Sequence, residues 1–150
     1  MSAFRDEIDA LLNEGIRLAT EFLEQNKEFY PFALRLTHDG GIDLVQAELG
    51  DEQPDSGDLI VAVEETLRAM ADQGEIIAGV VISDVFVSQD GSDESTDAIQ
   101  LALEHAQGIS VECFLPYTWE KESLKLGELF SQQAEPAIFL QTESDRPGIK

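Results

Sequence analysis

Hydrophobic residues recur at a helical spacing over residues 3 to about 27 of the chain. The apolar positions of this stretch are Phe4, Ile8, Leu11, Leu12, Ala19, Phe22 and Leu23. Because residues three or four positions apart lie on one face of a helix, the pattern predicts an amphipathic helix whose other face is charged. Gly15 lies in its middle, where glycine costs about 1 kcal/mol relative to alanine in an exposed helix.

A second helix is predicted from about residue 56 to residue 73, after the turn-rich segment "GDEQPDSGD". Its apolar stripe consists of Ile60, Val63, Leu67 and Met70. Asp55 or Ser56 can cap the first turn, because short oxygen-bearing side chains accept the unpaired N–H groups there. Gly74 ends the helix, since glycine readily adopts the left-handed conformation that follows a last turn.

Between the two helices the hydrophobic period changes to alternation, which is typical of β-strands. The alternating apolar residues are Tyr30, Phe32, Leu34 and Leu36. They predict a half-buried strand that starts at Pro31 or lies at a sheet edge, because proline cannot donate to a strand ladder. The "DGG" at 39–41 predicts a tight hairpin that returns through about residues 42–46.

A central strand and a hairpin are predicted after the second helix. The stretch "EIIAGVVISDVFVSQ" is almost continuously apolar, which favours a strand buried on both faces. In the hairpin, apolar residues lie opposite apolar residues only if residues 106–108 form the loop, with Gly108 in the left-handed conformation. The pairs are then His105 with Ile109, Leu103 with Val111, Leu101 with Cys113 and Ile99 with Leu115. His105 and Cys113 lie roughly 13 Å apart in that register, too far for a nucleophile pair, so Cys113 is predicted to be a core hydrophobe.

The element order α-β-β-α-β-β-β, plus a short C-terminal element, contains no strand–helix–strand repeat of the parallel kind. It predicts an α+β fold with an antiparallel sheet of about five strands and two helices on one face. Residues 118–133 are compatible with a short helix or a strand, and "PAIFL" with a last short strand. Residues 1–150 are predicted to form a single domain, with 141–150 as a flexible tail.

The chain is strongly acidic, with 31 Asp and Glu residues against 9 Lys and Arg residues and a formal charge of −22. Such a field repels nucleic acid and anionic membranes, and it attracts cations or basic protein surfaces. Solubility and adaptation to a salty environment are the simpler explanations. One cysteine gives no internal disulfide. The lack of a signal-like N-terminus and of a long apolar run predicts a cytoplasmic protein with no membrane span.

The motifs give no catalytic constellation, and no cofactor or metal site is predicted. Two distant histidines and one cysteine do not suit a structural zinc site, and "DGSDESTD" lacks the ligand spacing of a calcium loop. Asp84, in a buried strand, and His105 are candidate buried polar residues; a carboxyl there either hydrogen-bonds backbone groups or has a raised pKa. Phe114, Tyr117 and Trp119 form a candidate interface patch, or they cap the sheet as part of the core.

The segments "FYPFALRLTHDGGI", "DAIQLALEHAQG" and "LPY" resemble a motif set of small bacterial proteins that have no established activity. The resemblance spans most of residues 29–117. It implies a shared α+β fold and transfers no catalytic residue. The motif residues also suit structural roles, with glycines such as Gly40 and Gly108 at the turns and apolar side chains facing a core.

These features favour an acidic protein that works by binding another protein, as part of a homo-oligomer such as a homodimer. A specific form is an immunity-like inhibitor that covers the basic, nucleic-acid-binding surface of its partner. The alternative is a small-ligand-binding or enzymatic domain with a pocket between helices and sheet, using Asp84 or His105. The absence of a catalytic constellation weighs against enzyme activity without excluding it.

Overall fold

The computed structural model describes residues 3–47, 49–50, 54–88 and 95–139, which fold into two helices and seven strands. The helices are α1 (Ala3–Asn26) and α2 (Ser56–Asp72). The strands are β1 (Phe32–Thr37), β2 (Ile42–Val45), β3 (Ile76–Ser88), β4 (Ser95–His105), β5 (Ile109–Glu120), β6 (Ser123–Leu126) and β7 (Phe130–Gln133). The predicted α+β class and the order of the first seven elements are confirmed. Asp55 caps α2 by accepting the Asp58 N–H at 3.2 Å.

All strand pairs in the sheet are antiparallel, in the spatial order β2-β1-β3-β4-β5-β6. The seventh strand, β7, also pairs with β5. The described residues therefore contain seven strands rather than about five, because residues 118–133 extend β5 and then form β6 and β7. Those two short strands are mostly exposed. In β6, Leu124 and Leu126 do alternate with polar residues, but four residues are too few to distinguish a strand from a helix, and β7 shows no alternation at all.

The predicted register of the β4–β5 hairpin is confirmed. His105 lies opposite Ile109 and Leu101 lies opposite Cys113. Gly108 has φ of 98°, the left-handed conformation that the three-residue loop requires. Cys113 is a free cysteine with 3% exposure and belongs to the core, and burial raises the pKa of its thiol.

The two helices pack on opposite faces of the sheet, so the prediction that both lie on one face is wrong. Phe32 and Leu34 of β1 share a core with α1, whereas Ala33 between them shares a second core with α2. Successive strand residues point to opposite faces, so β1 is buried on both sides rather than half-buried. The strand begins directly after Pro31, and its neighbours β2 and β3 flank it on both edges.

The segment "PAIFL" does not form the predicted strand within the residues that are described. A single carboxylate, that of Glu104, takes up the backbone N–H groups of Ala137, Ile138 and Phe139 at 2.7–3.1 Å. Donors that bond to a side chain are not available to a strand ladder. Ile138 is 1% exposed and completes the α2-side core. The predicted tail, 141–150, lies outside the described residues.

Candidate functional site

An open cleft of about 1050 Å³ lies at the end of the sheet where β1 begins and where β3 and β5 end. The last turn of α1 and the connection from α1 to β1 form its rim. Both tyrosines and the only tryptophan of the chain line it. The aromatic residues of the lining are Phe22, Phe29, Tyr30, Phe86, Tyr117 and Trp119. We call this site the aromatic cleft.

The connection of residues 27–31 positions the rim of the aromatic cleft. Lys27 has φ of 69°, in the left-handed region that favours glycine, and its N–H donates to a carbonyl of the last turn of α1 at 2.7 Å. Phe22 and Phe29 both pack edge-on against Phe32, with ring centroids 5.2 and 5.6 Å away. This packing fixes the connection against the end of the sheet.

Asp84 and Tyr117, which the sequence analysis singled out separately, meet in the aromatic cleft. The Tyr117 hydroxyl donates to Oδ1 of Asp84 at 2.6 Å. A second donor to this carboxylate is the backbone N–H of Phe29. Asp84 is partly exposed and Tyr117 is buried in the α1-side core. The pair therefore joins the floor of the cleft to the α1–β1 connection.

The electrostatic surroundings of this pair are dominated by carboxylates. Burial is the main cause that raises the pKa of Asp84, and repulsion from Asp97 and Glu28 raises it further, while the Tyr117 hydroxyl opposes the rise. Burial, followed by the hydrogen bond to Asp84, raises the pKa of Tyr117 far above its ordinary value. Tyr117 therefore stays a neutral hydrogen-bond donor at physiological pH, and the cleft keeps an excess of negative charge.

Trp119 already has a cation on its ring. The Lys27 ammonium nitrogen lies 4.1 Å from the Trp119 ring centroid, within the range of a cation–π contact. Trp119 is partly buried, whereas Lys27 is exposed. Trp119 therefore presents its ring towards the cleft in a position that attracts a cationic side chain.

Two further rings of the aromatic cleft face solvent. Phe86, near the end of β3, is 75% exposed, and Tyr30 is 51% exposed. Rings this far out of the core contribute little to folding, and aromatic side chains are enriched at the centres of protein interfaces. Phe86 lies opposite Asp97 on β4, which places a carboxylate beside this ring.

His105 lies away from the aromatic cleft. Asp84 pairs with Ile99, and His105 is six residues farther along β4, roughly 20 Å at about 3.4 Å per residue. Its Nδ1 accepts the Gln107 N–H at 3.1 Å, so the proton lies on Nε2, which donates to Glu7 at 3.0 Å. Both ring nitrogens of this buried histidine form hydrogen bonds with other groups of the protein, so the role of His105 is structural.

Phe114 is not on the same surface as Tyr117 and Trp119. As an even-numbered residue of β5 it points to the opposite face from those two odd-numbered residues. It stacks on Phe130 of β7 with a centroid distance of 5.2 Å. The structure thus divides the predicted patch into two cleft residues and one residue of the β5–β7 pair.

Several cleft residues were not found by sequence reasoning, namely Lys27, Glu28, Phe86 and Asp97. Lys27 and Glu28 belong to a short connection without periodicity. Phe86 and Asp97 become neighbours only through the β3–β4 register, which the sequence pattern does not fix. The signal that could have revealed Phe86 is its place near the end of an apolar strand, where a ring extends beyond the core.

Replacing Tyr117 with phenylalanine is expected to raise the pKa of Asp84 further, because the ionised carboxylate loses the O–H donor that favours it. A ¹³C NMR titration of the Asp84 carboxyl carbon in both proteins measures the shift. Tyr30→Phe is the matched control, since Tyr30 lines the cleft without contributing to the pKa of Asp84. A titration midpoint in Tyr117→Phe at or below that of the wild type would contradict the assigned role of the hydroxyl.

Comparisons with protein-family models, with curated proteins and with solved structures found no match to this chain. The motif resemblance to small bacterial proteins therefore stays a prediction. Among the described residues, no group of three His, Cys, Asp or Glu side chains is placed to hold a metal ion. Neither described helix is long and apolar enough to cross a membrane.

Proposed function

We propose that this chain is a small cytoplasmic protein that binds a basic partner protein, and that the aromatic cleft is its contact surface. The observation that carries the proposal is the meeting of exposed aromatic rings with carboxylates in one open cleft. Aromatic residues are enriched in the centres of protein interfaces, where they supply large contact areas. Phe86 and Tyr30 are the exposed anchors of this surface.

The charge of the cleft supports a basic partner. Glu28, Asp84 and Asp97 line it together with one ammonium group, that of Lys27. The whole chain carries a formal charge of −22, which steers positively charged surfaces towards it at low ionic strength. A partner whose basic surface binds nucleic acid would be blocked by this contact, so inhibition of such a protein is the specific form of the proposal.

The test is capture of partners from a lysate of the source organism on three immobilised proteins: wild type, Phe86→Ser and Val61→Ser. Val61 is 53% exposed on α2 and lies outside the cleft lining, so it matches Phe86 as an exposed apolar residue. We expect wild type and Val61→Ser to retain the same basic protein at low salt and to release it at high salt. For Phe86→Ser, the affinity for that protein, once identified, is expected to fall about tenfold, as for an interface anchor.

Three outcomes would contradict the proposal in whole or in part. Equal affinity of Phe86→Ser and wild type would place the contact outside the aromatic cleft. If no basic protein is retained by the wild type at low salt, the chain does not act by binding one, and the electrostatic argument fails. Retention that does not change between low and high salt would also overturn the charge-based part of the proposal.

A small-ligand or enzymatic function is the second candidate, and the Asp84–Tyr117 pair is the observation that favours it. A carboxyl with a raised pKa beside a neutral hydroxyl, in a cleft of about 1050 Å³, is an arrangement that binds polar ligands. A small molecule that co-purifies with the wild type, and is lost from Asp84→Asn, would support this function. His105 is too distant from Asp84 to act in the same pocket.

A further inference from the structure

We infer that Trp119 is the cation-recognition point of the aromatic cleft, and that Lys27 is a built-in competitor that an arginine or lysine side chain of the partner displaces. This inference rests on the proposed function, since it names the group of the basic partner that enters the cleft. It goes beyond that function because it assigns a regulatory role to a residue of this chain, namely that Lys27 limits the affinity.

Lys27 is placed so that its ammonium can contact the Trp119 ring and can also move away from it. Its backbone is fixed at the end of α1 by a hydrogen bond, while its side chain is exposed and reaches the Trp119 ring with its ammonium at 4.1 Å. A cation–π contact at an exposed site favours the occupied state by a factor of only about two to five. The side chain can therefore move into solvent without disturbing the helix end that holds its backbone.

An incoming cation gains more in the cleft than Lys27 does. Burial is the main cause that raises the pKa of Asp84, and repulsion from Asp97 and Glu28 raises it further. The Lys27 ammonium on Trp119 leaves that repulsion in place, whereas a cation that also bonds to the carboxylates would relieve it. Arginine fits best, since its planar guanidinium stacks on an aromatic ring while its N–H groups bond to carboxylates. Lysine satisfies the same charge requirement with a single point charge.

The experiment uses Trp119 as its own reporter, because it is the only tryptophan of the chain. Tryptophan fluorescence is titrated with a tetra-arginine peptide, blocked at both ends, for the wild type, Lys27→Met and Lys121→Met. Lys121 is the matched control: it is exposed, also has a left-handed backbone with φ of 60°, and lies outside the cleft lining. Both variants therefore remove one positive charge from the same kind of backbone position.

We expect Lys27→Met to bind the peptide about two to five times more tightly than Lys121→Met, because only the first substitution removes the competitor. The Lys27 side-chain protons of the wild type should also show a ring-current shift in NMR spectra that disappears when the peptide is added. A tetra-glutamate peptide should leave the fluorescence unchanged.

The outcomes separate this inference from the function on which it rests. Equal affinities of Lys27→Met and Lys121→Met, in proteins that do bind the peptide, would overturn the role of Lys27 and leave the basic-partner function standing. If the peptide changes the tryptophan fluorescence of none of the three proteins at low salt, the recognition of cations by Trp119 is overturned. If a basic protein is nevertheless captured through Phe86, the partner then binds the cleft without placing a cation on that ring.

Discussion

Replacing Glu104 with glutamine is expected to lower the free energy of unfolding by about 1–3 kcal/mol, the cost of leaving a buried donor without a partner. Glu104 is 6% exposed, and its two oxygens accept three successive backbone N–H groups. Ala137 donates to Oε2 at 2.7 Å, Phe139 to Oε1 at 2.9 Å, and Ile138 to both. An amide keeps one acceptor and turns an NH₂ donor towards the remaining N–H, so at least one of the three loses its bond.

Urea denaturation measures the loss, and Glu112→Gln is the matched control. Glu112 lies on the neighbouring strand β5, is partly exposed, and accepts hydrogen bonds from the side chains of Gln100 and Gln132. Its substitution removes the same charge and is expected to change stability by no more than about 0.5 kcal/mol, as at other surface sites. A loss in Glu104→Gln no larger than in Glu112→Gln would show that the carboxylate does not hold residues 137–139.

Hydrogen exchange gives a local readout of the same substitution. The amides of residues 137–139 are expected to exchange faster in Glu104→Gln, because their acceptor is weakened. The segment has a second attachment, since Nε of Arg68 on α2 donates to the Ala137 carbonyl at 2.9 Å. Ile138 also fills the core beneath α2. The three attachments together explain how a segment without strand pairing still covers the sheet.

Local patterns in the sequence predicted those features that depend on consecutive residues. The β4–β5 register follows from apolar partners that must share a face, and Gly108 is the residue that permits the loop. A cap of α2 at Asp55 or Ser56 follows from the chemistry of short oxygen-bearing side chains beside free N–H groups, and Asp55 is the residue that caps the helix. In each case the interacting groups are close in the chain, so spacing alone determines their geometry.

Features that depend on distant segments could not be predicted in this way. Ala33 is compatible with an exposed or a buried face, and only the packing of α2 decides that it is buried. Because Glu104 alternates with apolar residues, the sequence pattern predicts that it faces solvent. The backbone N–H groups that it binds lie 33 to 35 residues later in the chain. A hydrogen bond between a side chain and distant backbone N–H groups leaves no periodic signal.

The candidate site shows the same division. In the sequence, Asp84 was visible as a polar group in an apolar strand. Tyr117 was visible as an aromatic residue after a hairpin. Their contact crosses β4, so it requires the registers of both β3–β4 and β4–β5. Lys27 reaches Trp119 only because α1 ends at the same end of the sheet as β5, a relation that no local pattern contains.

Replacing Gly15 with valine is expected to lower the free energy of unfolding by about 3 kcal/mol, the upper part of the range for overpacked cores. Helix propensity alone predicts the opposite sign, because valine is a better helix former than glycine. A Cβ at this position would lie 2.9 Å from Cδ1 of Ile82 and 3.0 Å from Cδ2 of Leu101. Both side chains are fully buried, so neither has free space into which to move.

Asn13→Val separates packing from propensity, since it introduces the same residue at an exposed position of the same helix. Its effect on the free energy of unfolding, measured by urea denaturation, is expected to stay within about 0.5 kcal/mol. If Gly15→Val is as stable as Asn13→Val or more stable, α1 cannot lie as close to β3 and β4 as the structure places it. If Gly15→Val alone is destabilised, the glycine that weakens the isolated helix is the residue that allows α1 to approach the sheet. The loss in helix propensity is then offset by the close packing of Ile82 and Leu101 beneath it.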